Sequence, residues 1–342
     1  VQTVVLPIYH CSVFIASAFL KGIKNYDINE AYRLMRQNAF DMPPEEDYIN
    51  GKGRRALPSY LKYGYVPMDD GVPQAFHKNE QVSRTLEYAY DDYSLAQVAK
   101  ALHKEDDYKI LNQRSFNYKN VFDPGIGLMN GKYIDGKWYA PFTPDKRMLF
   151  VTESTPRQYT FYVPHDIPGL AKLMGGKSQL ELSLDSLFLN GNYNHGNEPD
   201  QQAPFLYNYT PHPWKSQLQV RKILENEYAD GPGGLSGNDD AGEISAWYVF
   251  ASMGLYPVNP VSNQYIITSP LFDSVKIKIA DNKIFQIITH KQSPKSIYIF
   301  KTKLNGRSYS RNYLNHKSIM QGGTFEIFLK DNPSDWGRKV EE

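Results

Sequence analysis

Apolar residues recur at helical spacing through most of the chain up to Pro257, and this period predicts a mainly helical first part. Asp27 and Glu30 have the spacing of a capping box ahead of one helix. The prolines, glycines and charges of residues 43–71 instead predict a long loop. The apolar periodicity predicts further helices over residues 83–104, 105–122, 157–176, 178–189, 214–228 and 243–253.

The pattern then changes to an alternation of apolar and polar residues, which is the period of a half-buried strand. Asn305 and Gly306 lie between two such runs and predict a hairpin, and residues 322–337 predict a final strand. We therefore predict a helical domain over residues 1–257 and a small antiparallel β domain over residues 258–342. Because long loops join the helices, a closed array of antiparallel helices suits the first domain.

Charge and composition exclude some partners. The 342 residues contain 38 Lys and Arg against 37 Asp and Glu, so the formal net charge is +1. A chain so near neutrality offers no general electrostatic attraction for nucleic acid or an anionic membrane. Aromatic residues make up 14% of the chain, which suits either a carbohydrate-facing protein or an aromatic-rich core.

The first 22 residues are apolar and lack a basic leader. Pro7 and His10 interrupt them, so they are too short for a membrane span. We expect a buried helix here, with any signal peptide outside this sequence. Cys11 is the sole cysteine, so no disulfide can form within the chain.

A glycine-rich stretch, GGLSGNDDAGEISAWYVF over residues 233–250, places Asp239 and Asp240 side by side ahead of a helix. Glycines allow unusual backbone angles and the close approach of a ligand. One acid suffices to cap the helix, so capping alone does not account for both. Adjacent carboxylates repel each other, and in a shielded cleft this raises a pKa. The spacing is not that of an EF-hand calcium loop.

Two further polar clusters adjoin helices. Asn197, Glu198 and Gln201, together with the aspartate between them, Asp200, offer oxygen atoms that suit calcium more than zinc, although a solvated turn would contain the same residues. Glu153 follows an apolar run, and a carboxyl group among apolar neighbours can act as a general acid near neutral pH. An ordinary exposed glutamate fits the same position. Two carboxyl groups flanking a sugar are the minimum for glycoside hydrolysis.

Together these blocks resemble glycoside hydrolase family 92. The resemblance covers roughly residues 80–275 in the family's order, through SRTLEYAYDDYSLAQVAKAL, NYKNVFDP, VTES…RQYTFYVPHD, GNEP…PFLYNYT…PWKSQ and GLSGNDDAGEISAWYVFASMGLYPV. The family comprises calcium-dependent, inverting exo-α-mannosidases whose catalytic domain is an (α/α)6 helical barrel followed by β structure. The resemblance therefore implies a mainly α fold: a partial (α/α)6 toroid-type barrel, truncated at its N-terminus, and then the small antiparallel β domain.

The resemblance also implies catalytic roles. Glu153 corresponds to the family's general acid, and Asp240 is the first choice for the general base. Asp239 or Asn238 corresponds to a residue that holds the attacking water.

The same resemblance implies roles in binding. Asn197 and Glu198 correspond to sugar-contacting residues near the leaving group. Gln201 corresponds to a side-chain ligand of the calcium ion, which in this family bridges vicinal hydroxyls of the mannose. His165 and Asp166 lie in a family block without an assigned role.

The chain departs from the family pattern in three ways. Pro156 and Arg157 follow the acid where small and aromatic residues are common, which alters the expected linkage or leaving-group preference. Asn197 stands where many α-1,2-specific members have a histidine, which argues against α-1,2 specificity. The family's N-terminal β-sandwich, which supplies part of the substrate site, is expected but absent from this chain.

The predicted partners are α-mannoside glycans, with no nucleic acid and no membrane span, and the predicted cofactor is Ca²⁺. Family members are commonly exported by glycan-degrading bacteria, so the resemblance implies a secreted or periplasmic protein. Two alternatives stay open: a non-catalytic glycan-binding remnant of the same fold, and another (α/α)6 glycosidase such as a glucoamylase-like enzyme.

Overall fold

The computed structural model describes residues 11–49, 52–70, 79–189, 191–279 and 282–338. The chain forms two compact units. One contains the residues up to Met174 together with Pro260–Ser262, and the other contains Gly175–Asn259 and the residues from Asn263 onward. The boundary that the sequence pattern predicts between residues 257 and 258 stays a prediction.

The first unit is helical. Its central helix is α5, in which seventeen of 21 residues are buried, and the apolar core around its C-terminal half also contains residues of α1, α2 and α6. The elements of this unit are α1 (Cys11–Leu20), α2 (Ile28–Phe40), α3 (Glu45–Ile49), α4 (Leu57–Tyr63), α5 (Gln81–Ala101), α6 (Glu105–Arg114), the antiparallel pair β1 (Phe122–Asp123) and β2 (Leu128–Met129), α7 (Pro156–Tyr159) and α8 (Ile167–Leu173).

The sequence pattern predicts the start of α2, and it predicts the burial of α1 in part. Asp27 caps α2 by accepting hydrogen bonds from the backbone N of Asn29 (2.9 Å) and Glu30 (3.1 Å), as predicted. The expected buried helix at the start of the chain is buried on one face only, since Ala16 is buried but Phe14 is 77% exposed. The first ten residues of that prediction lie outside the described part of the chain.

The predicted long loop over residues 43–71 is wrong, because it contains α3 and α4. Leu57 and Tyr60 of α4 are fully buried, in a core that includes Tyr88 of α5. Pro58 lies in the first turn of α4, where the missing N–H costs no helical hydrogen bond. Tertiary burial thus outweighs the loop-like composition.

Two predicted helices are shorter than their apolar patterns. The helix over residues 105–122 ends with α6, and a 3₁₀ helix, Asn117–Val121, follows it. The helix over residues 157–176 is interrupted between α7 and α8. Pro164 disfavours helical backbone at the residue before it, and Asp166 starts α8 by accepting a hydrogen bond from Gly169 N at 2.9 Å.

The helices of the second unit agree closely with the predicted ones. They are α9 (Lys177–Leu189), α10 (Trp214–Asn226) and α11 (Glu243–Met253). Gly254 ends α11 in left-handed backbone with φ of 78°, as expected of a glycine at a helix C-terminus. Loops with short 3₁₀ segments, Glu198–Asp200, Ala203–Tyr209 and Asp240–Gly242, lie between these helices.

The second unit also contains two sheets. One is antiparallel, with strand order β3 (Leu255–Tyr256), β4 (Gln264–Ile267) and β9 (Tyr313–Asn315). The other has strand order β5-β6-β10-β7-β8, from β5 (Ser274–Lys278), β6 (Ile284–Lys291), β7 (Tyr298–Leu304), β8 (Arg307–Ser308) and β10 (Gly323–Lys330). The helix α12 (His316–Met320) precedes β10.

The five-stranded sheet is mixed, although the sequence pattern predicts an antiparallel one. β10 pairs antiparallel with β7 but parallel with β6. A strand inserted between two antiparallel strands must run parallel to one of them, and period-2 patterning carries no strand direction. The predicted hairpin is confirmed, since Asn305 and Gly306 have φ of 52° and 78° between paired β7 and β8.

In the part of the chain that the structure describes, no helix is both long and apolar enough to cross a membrane.

Candidate active site

Glu153, the predicted acid, is an exposed residue between buried neighbours in a loop of the first unit, and its backbone is left-handed, with φ of 50°. This conformation costs a non-glycine residue about 1–2 kcal/mol. Its neighbours hold the loop: Thr152 N donates to Ser83 Oγ, and Ser154 Oγ donates to Gln158 Oε1, both at 2.8 Å. The loop therefore presents Glu153 on a strained backbone that surrounding hydrogen bonds maintain, as at many functional sites.

The surroundings of Glu153 differ from the sequence expectation. Phe150 and Val151 are buried and Leu149 is 72% exposed, but none of this apolar run buries Glu153, which is exposed. The two departures after the acid have local roles: Pro156 begins α7, and Arg157 forms an ion pair with Asp145.

In the second unit, Asp239 caps α11. Its Oδ1 accepts a hydrogen bond from Ser245 N at 2.9 Å, and its carbonyl oxygen accepts one from Glu243 N at 2.7 Å. One of the two neighbouring acids thus satisfies donors in the first turn of the helix. Capping of the helix therefore does not account for Asp240.

Asp240 lies in a strained turn. The φ angles of Asp240, Ala241 and Gly242 are 42°, 61° and 97°, so three successive residues are left-handed. Glycine adopts such angles without strain, but aspartate and alanine do not. Asn238 Nδ2 donates to Asp240 Oδ1 at 2.5 Å. The turn and this hydrogen bond together fix the direction of the carboxyl group.

The Asp240 side chain is also hydrogen bonded to Glu198, at the start of a 3₁₀ helix. Burial, this hydrogen bond and the nearby charge of Glu243 raise the pKa of Glu198 to about 8. At pH 7 Glu198 is therefore mainly protonated and can donate its proton to the Asp240 carboxylate. Two residues from separate sequence clusters form one acid–carboxylate pair.

Glu243 adjoins this pair, and the sequence analysis assigned it no catalytic or binding role. Burial raises its pKa to about 7, and the negative charges of Asp240 and Asp239 add to that effect. An acid in the first turn of a helix normally indicates favourable interaction with the helix dipole. The sequence therefore places Glu243 in the polar cluster of the glycine-rich stretch but does not predict its raised pKa.

Two glycines allow the loops of Glu198 and Asp240 to touch. A Cβ atom on Gly237 would lie 2.5 Å from Gly196 Cα and 2.6 Å from its carbonyl oxygen. A Cβ atom on Gly196 would lie 2.7 Å from the carbonyl oxygen of Ser236. The two backbones are therefore in direct contact, at a separation that no larger residue permits.

His195, in the same loop as Glu198, holds that loop through buried hydrogen bonds. It is 2% exposed, and its ring nitrogens lie 2.7 Å from the hydroxyls of Tyr193 (Nδ1) and Tyr228 (Nε2). Since Tyr228 donates its proton to Ile244 O at 3.0 Å, His195 Nε2–H donates to Tyr228 and Nδ1 accepts from Tyr193. Burial lowers the pKa of His195 to about 4, so the ring is neutral. With both nitrogens in use, His195 is not a zinc ligand.

Gln201 is hydrogen bonded to the backbone of His195. Trp247 Nε1 donates to Gln201 O at 2.9 Å, and Gln201 Nε2 donates to His195 O at 3.3 Å. Gln201 is 1% exposed, and its Oε1 is buried without a hydrogen-bond donor among the described residues. A buried oxygen without a partner costs about 1–3 kcal/mol, so this atom suits a cation or an ordered donor.

Asp200, next to Gln201, is a second buried residue whose oxygen atoms suit a cation, as the composition of this loop predicts. It is fully buried, and its Oδ2 accepts a hydrogen bond from Asn194 N at 2.9 Å. Its Oδ1 is buried without a donor among the described residues, and burial raises its pKa well above the usual range. The local sequence does not predict the complete burial of this aspartate, because that burial arises from packing.

Other residues of the family blocks have structural roles. Asp166 caps α8 and accepts a hydrogen bond from Tyr118 at 2.7 Å. His165 Nε2 lies 2.8 Å from Ser115 O, and burial lowers its pKa to about 4. Asn197 is 8% exposed in the loop that contains Glu198.

The second unit thus brings Glu198, Asn238 and Asp240 into one hydrogen-bonded group, with Asp239 as the adjoining helix cap. Glu153 belongs to the first unit. Among the described residues, no three His, Cys, Asp or Glu side chains converge as a metal-binding group. A hard cation in this unit would therefore need amide and backbone oxygens, water or substrate hydroxyls as ligands.

The chain is similar to one protein family, one curated protein and several solved structures. The catalytic domain of glycosyl hydrolase family 92 matches residues 2–331. An uncharacterized secreted glycosidase of Arthroderma benhamiae is 32% identical over an alignment 361 residues long. The alignment covers 96% of this chain and 46% of that protein.

Two solved enzymes of Bacteroides thetaiotaomicron have a fold similar to that of this chain. The family GH92 alpha-mannosidase BT3965 is 37% identical with a TM-score of 0.86, over 96% of this chain and 42% of its own. BT2199, described as an inverting mannosidase of the same family, is 33% identical with a TM-score of 0.87, over 96% of this chain and 46% of its own. BT3965 has also been solved in complex with mannoimidazole.

The chain spans less than half the length of these relatives. The similarities nevertheless confirm the predicted fold class, a partial (α/α)6 helical barrel followed by a small β domain. They also confirm the predicted class of protein, a glycoside hydrolase domain. On the match over residues 2–331, this chain belongs to glycosyl hydrolase family 92.

Proposed function

We propose that the protein hydrolyses terminal α-mannosides of glycans by a single displacement that inverts the anomeric carbon. The observation that carries this proposal is the Asp240 carboxyl, held in a left-handed turn by Asn238 and Glu198. The relatives' descriptions as alpha-mannosidases, one of them inverting, support the substrate and the stereochemistry.

In this mechanism Asp240 is the general base. Its carboxylate takes a proton from a water molecule, and the water oxygen forms a bond to the anomeric carbon as the glycosidic C–O bond breaks. Asn238 and Asp239 orient the water or the base. Glu198, protonated at neutral pH, and Asn238 both donate to the Asp240 carboxyl and fix its orientation.

Glu153 is the general acid. It donates its proton to the departing glycosidic oxygen, so that the leaving group departs as a neutral alcohol. Its exposed position on a strained loop leaves the carboxyl accessible to substrate. Asn197, beside Glu198 on the same loop, contacts the sugar near the leaving group.

Calcium suits the donor set of the second unit. Gln201 would contribute its buried Oε1, which is oriented by the hydrogen bond from its own amide to His195 O. When bound, the ion would draw vicinal mannose hydroxyls into its coordination sphere and favour a distorted ring. The residues of this chain would orient that sugar against Asp240.

We further propose that the protein is exported and acts together with a β-sandwich domain of the kind that the family resemblance implies. The name of the fungal relative, a secreted glycosidase, supports export. The activity assays below therefore use the longest natural form of the protein.

Asp240→Asn should reduce mannose release from α-mannobioses by about 10²–10⁴-fold, because it removes the general base. Thermal unfolding should show that the fold persists. Asp230→Asn makes the same chemical change at an exposed position near the same loop and should leave turnover within about two-fold. Full activity in Asp240→Asn would remove this residue from the mechanism.

Glu153→Gln should slow the hydrolysis of mannobioses far more than that of activated aryl α-mannosides, because only the poor leaving group needs protonation. The measurement is kcat on both substrate types. Equal losses on the two would contradict the role of Glu153 as the acid.

Removal of calcium with a chelator should stop mannose release, and added calcium should restore it. Gln201→Leu removes the buried Oε1 at similar volume, so it should weaken calcium binding at least about ten-fold by calorimetry. Gln179→Leu, at an exposed position in the same unit, serves as the control. Calcium affinity unchanged by Gln201→Leu would rule out this ligand, and activity unaffected by chelator would rule out the calcium requirement.

Gly237→Ala should reduce kcat at least about ten-fold, because the new Cβ would lie 2.5 Å from Gly196 Cα and force the two loops apart. Gly233→Ala is the matched control, since nothing lies within 4 Å of its added Cβ. Both variants are assayed well below their unfolding temperatures. Wild-type kcat in Gly237→Ala would show that the acid pair does not need this contact.

A further inference from the structure

The near-neutral net charge of the chain conceals a strongly basic segment. Residues 274–330 contain eleven Lys and Arg but only two acids, Asp281 and Glu326. Their net charge is +9, whereas that of the whole chain is +1, so the rest of the chain is acidic by eight charges. Such asymmetry within one chain often indicates a charged partner.

Five of these eleven basic residues lie on one face of the five-stranded sheet. The strands alternate between the apolar core and the opposite, outer face. The lysines on the outer face, hereafter the lysine face, are Lys276 and Lys278 on β5, Lys301 and Lys303 on β7, and Lys330 on β10. Glu326, the one acid on the described strands of this face, lies 3.1 Å from His290 Nε2.

Phe328 organises the centre of the lysine face. The strand register places it opposite His290 on one side and Lys301 on the other. The His290 ring stacks on it at 4.4 Å with an angle of 15°, and the Nζ atoms of Lys301 and Lys303 each lie 5.5 Å from its centroid. These cation–π contacts hold two ammonium groups on the sheet surface.

The arrangement favours one kind of polyanion. A single-stranded nucleic acid needs a row of exposed rings on which successive bases stack, but His290 and two lysines cover Phe328 and leave one neighbouring ring, the 38% exposed Phe300. A membrane surface needs a continuous apolar stripe that enters the lipid, whereas lysines of β5, β7 and β10 interrupt the apolar residues of this face. Lysines two residues apart on a strand are spaced roughly 7 Å and can bind successive anionic groups of an extended polymer.

We propose that the lysine face binds anionic polysaccharide, a glycan chain that carries sulfate, phosphate or carboxylate groups. The choice of a glycan over other polyanions rests on the proposed function, while the cationic face does not. The site is non-catalytic and tethers the protein to a charged polymer.

Binding to dextran sulfate, with uncharged dextran as the reference, tests this proposal by affinity electrophoresis and calorimetry at two salt concentrations. The wild-type protein should bind dextran sulfate and not dextran, and salt should weaken the binding. The double variant K301E/K303E should bind at least about ten-fold more weakly. Because both positions are on the surface, its thermal unfolding should match the wild type.

The control variant is R311E/K317E, which makes the same charge change at exposed positions off the lysine face in the same unit. It should stay within about two-fold of the wild type. Phe328→Leu keeps apolar volume without the ring and should weaken binding several-fold, because it releases the two ammonium groups.

Equal losses in both charge variants would show that net charge alone attracts the polymer and would overturn the proposal. So would the absence of binding by the wild-type protein. Duplex DNA and anionic phosphatidylserine vesicles are tested in parallel, and equal affinity for either of them would overturn the assignment to glycans. Binding is measured without hydrolysis, so mannosidase activity and the lysine face can fail independently.

Discussion

The contact between Gly196 and Gly237 is the constraint on which the acid pair depends. Each glycine belongs to a loop that carries one partner of the pair, Glu198 in one and Asp240 in the other. Since a Cβ atom at either position would overlap the opposite backbone, the loops can approach closely only because both residues are glycine. The hydrogen bond between the two carboxyl groups follows from that approach.

Buried polar groups make this approach rigid. His195 is hydrogen bonded to a tyrosine through each ring nitrogen. One of them, Tyr228, in turn donates a hydrogen bond to the backbone of α11 at Ile244 O. The helix that positions Asp240 is thereby connected to the loop that positions Glu198. Fully satisfied buried networks of this kind specify one arrangement, because any displacement leaves a buried donor or acceptor without a partner.

Charge is distributed unevenly in the molecule, and the two regions discussed here show opposite balances. Acidic groups gather around Asp240, where burial and mutual repulsion favour the protonated forms of Glu198 and Glu243. The basic excess lies on the outer face of a sheet, where the ammonium groups are solvated and no such penalty arises. The opposite charges of the two regions cancel in the overall composition, which has a net charge of +1.

The sequence by itself determined the family, the helix positions of the second unit, the hairpin at Asn305 and Gly306, and the cluster of Asn238, Asp239 and Asp240, but not its pairing with Glu198. These follow from local chemistry: apolar periodicity, turn residues with left-handed backbone, and motifs in a fixed order. Only the tertiary structure decided that Asp239 is the helix cap, that Glu243 and Asp200 are buried acids, that α4 replaces a predicted loop, and that β10 runs parallel to β6. Each of these depends on which distant residues pack together, and burial by distant neighbours is the quantity that local sequence patterns do not contain.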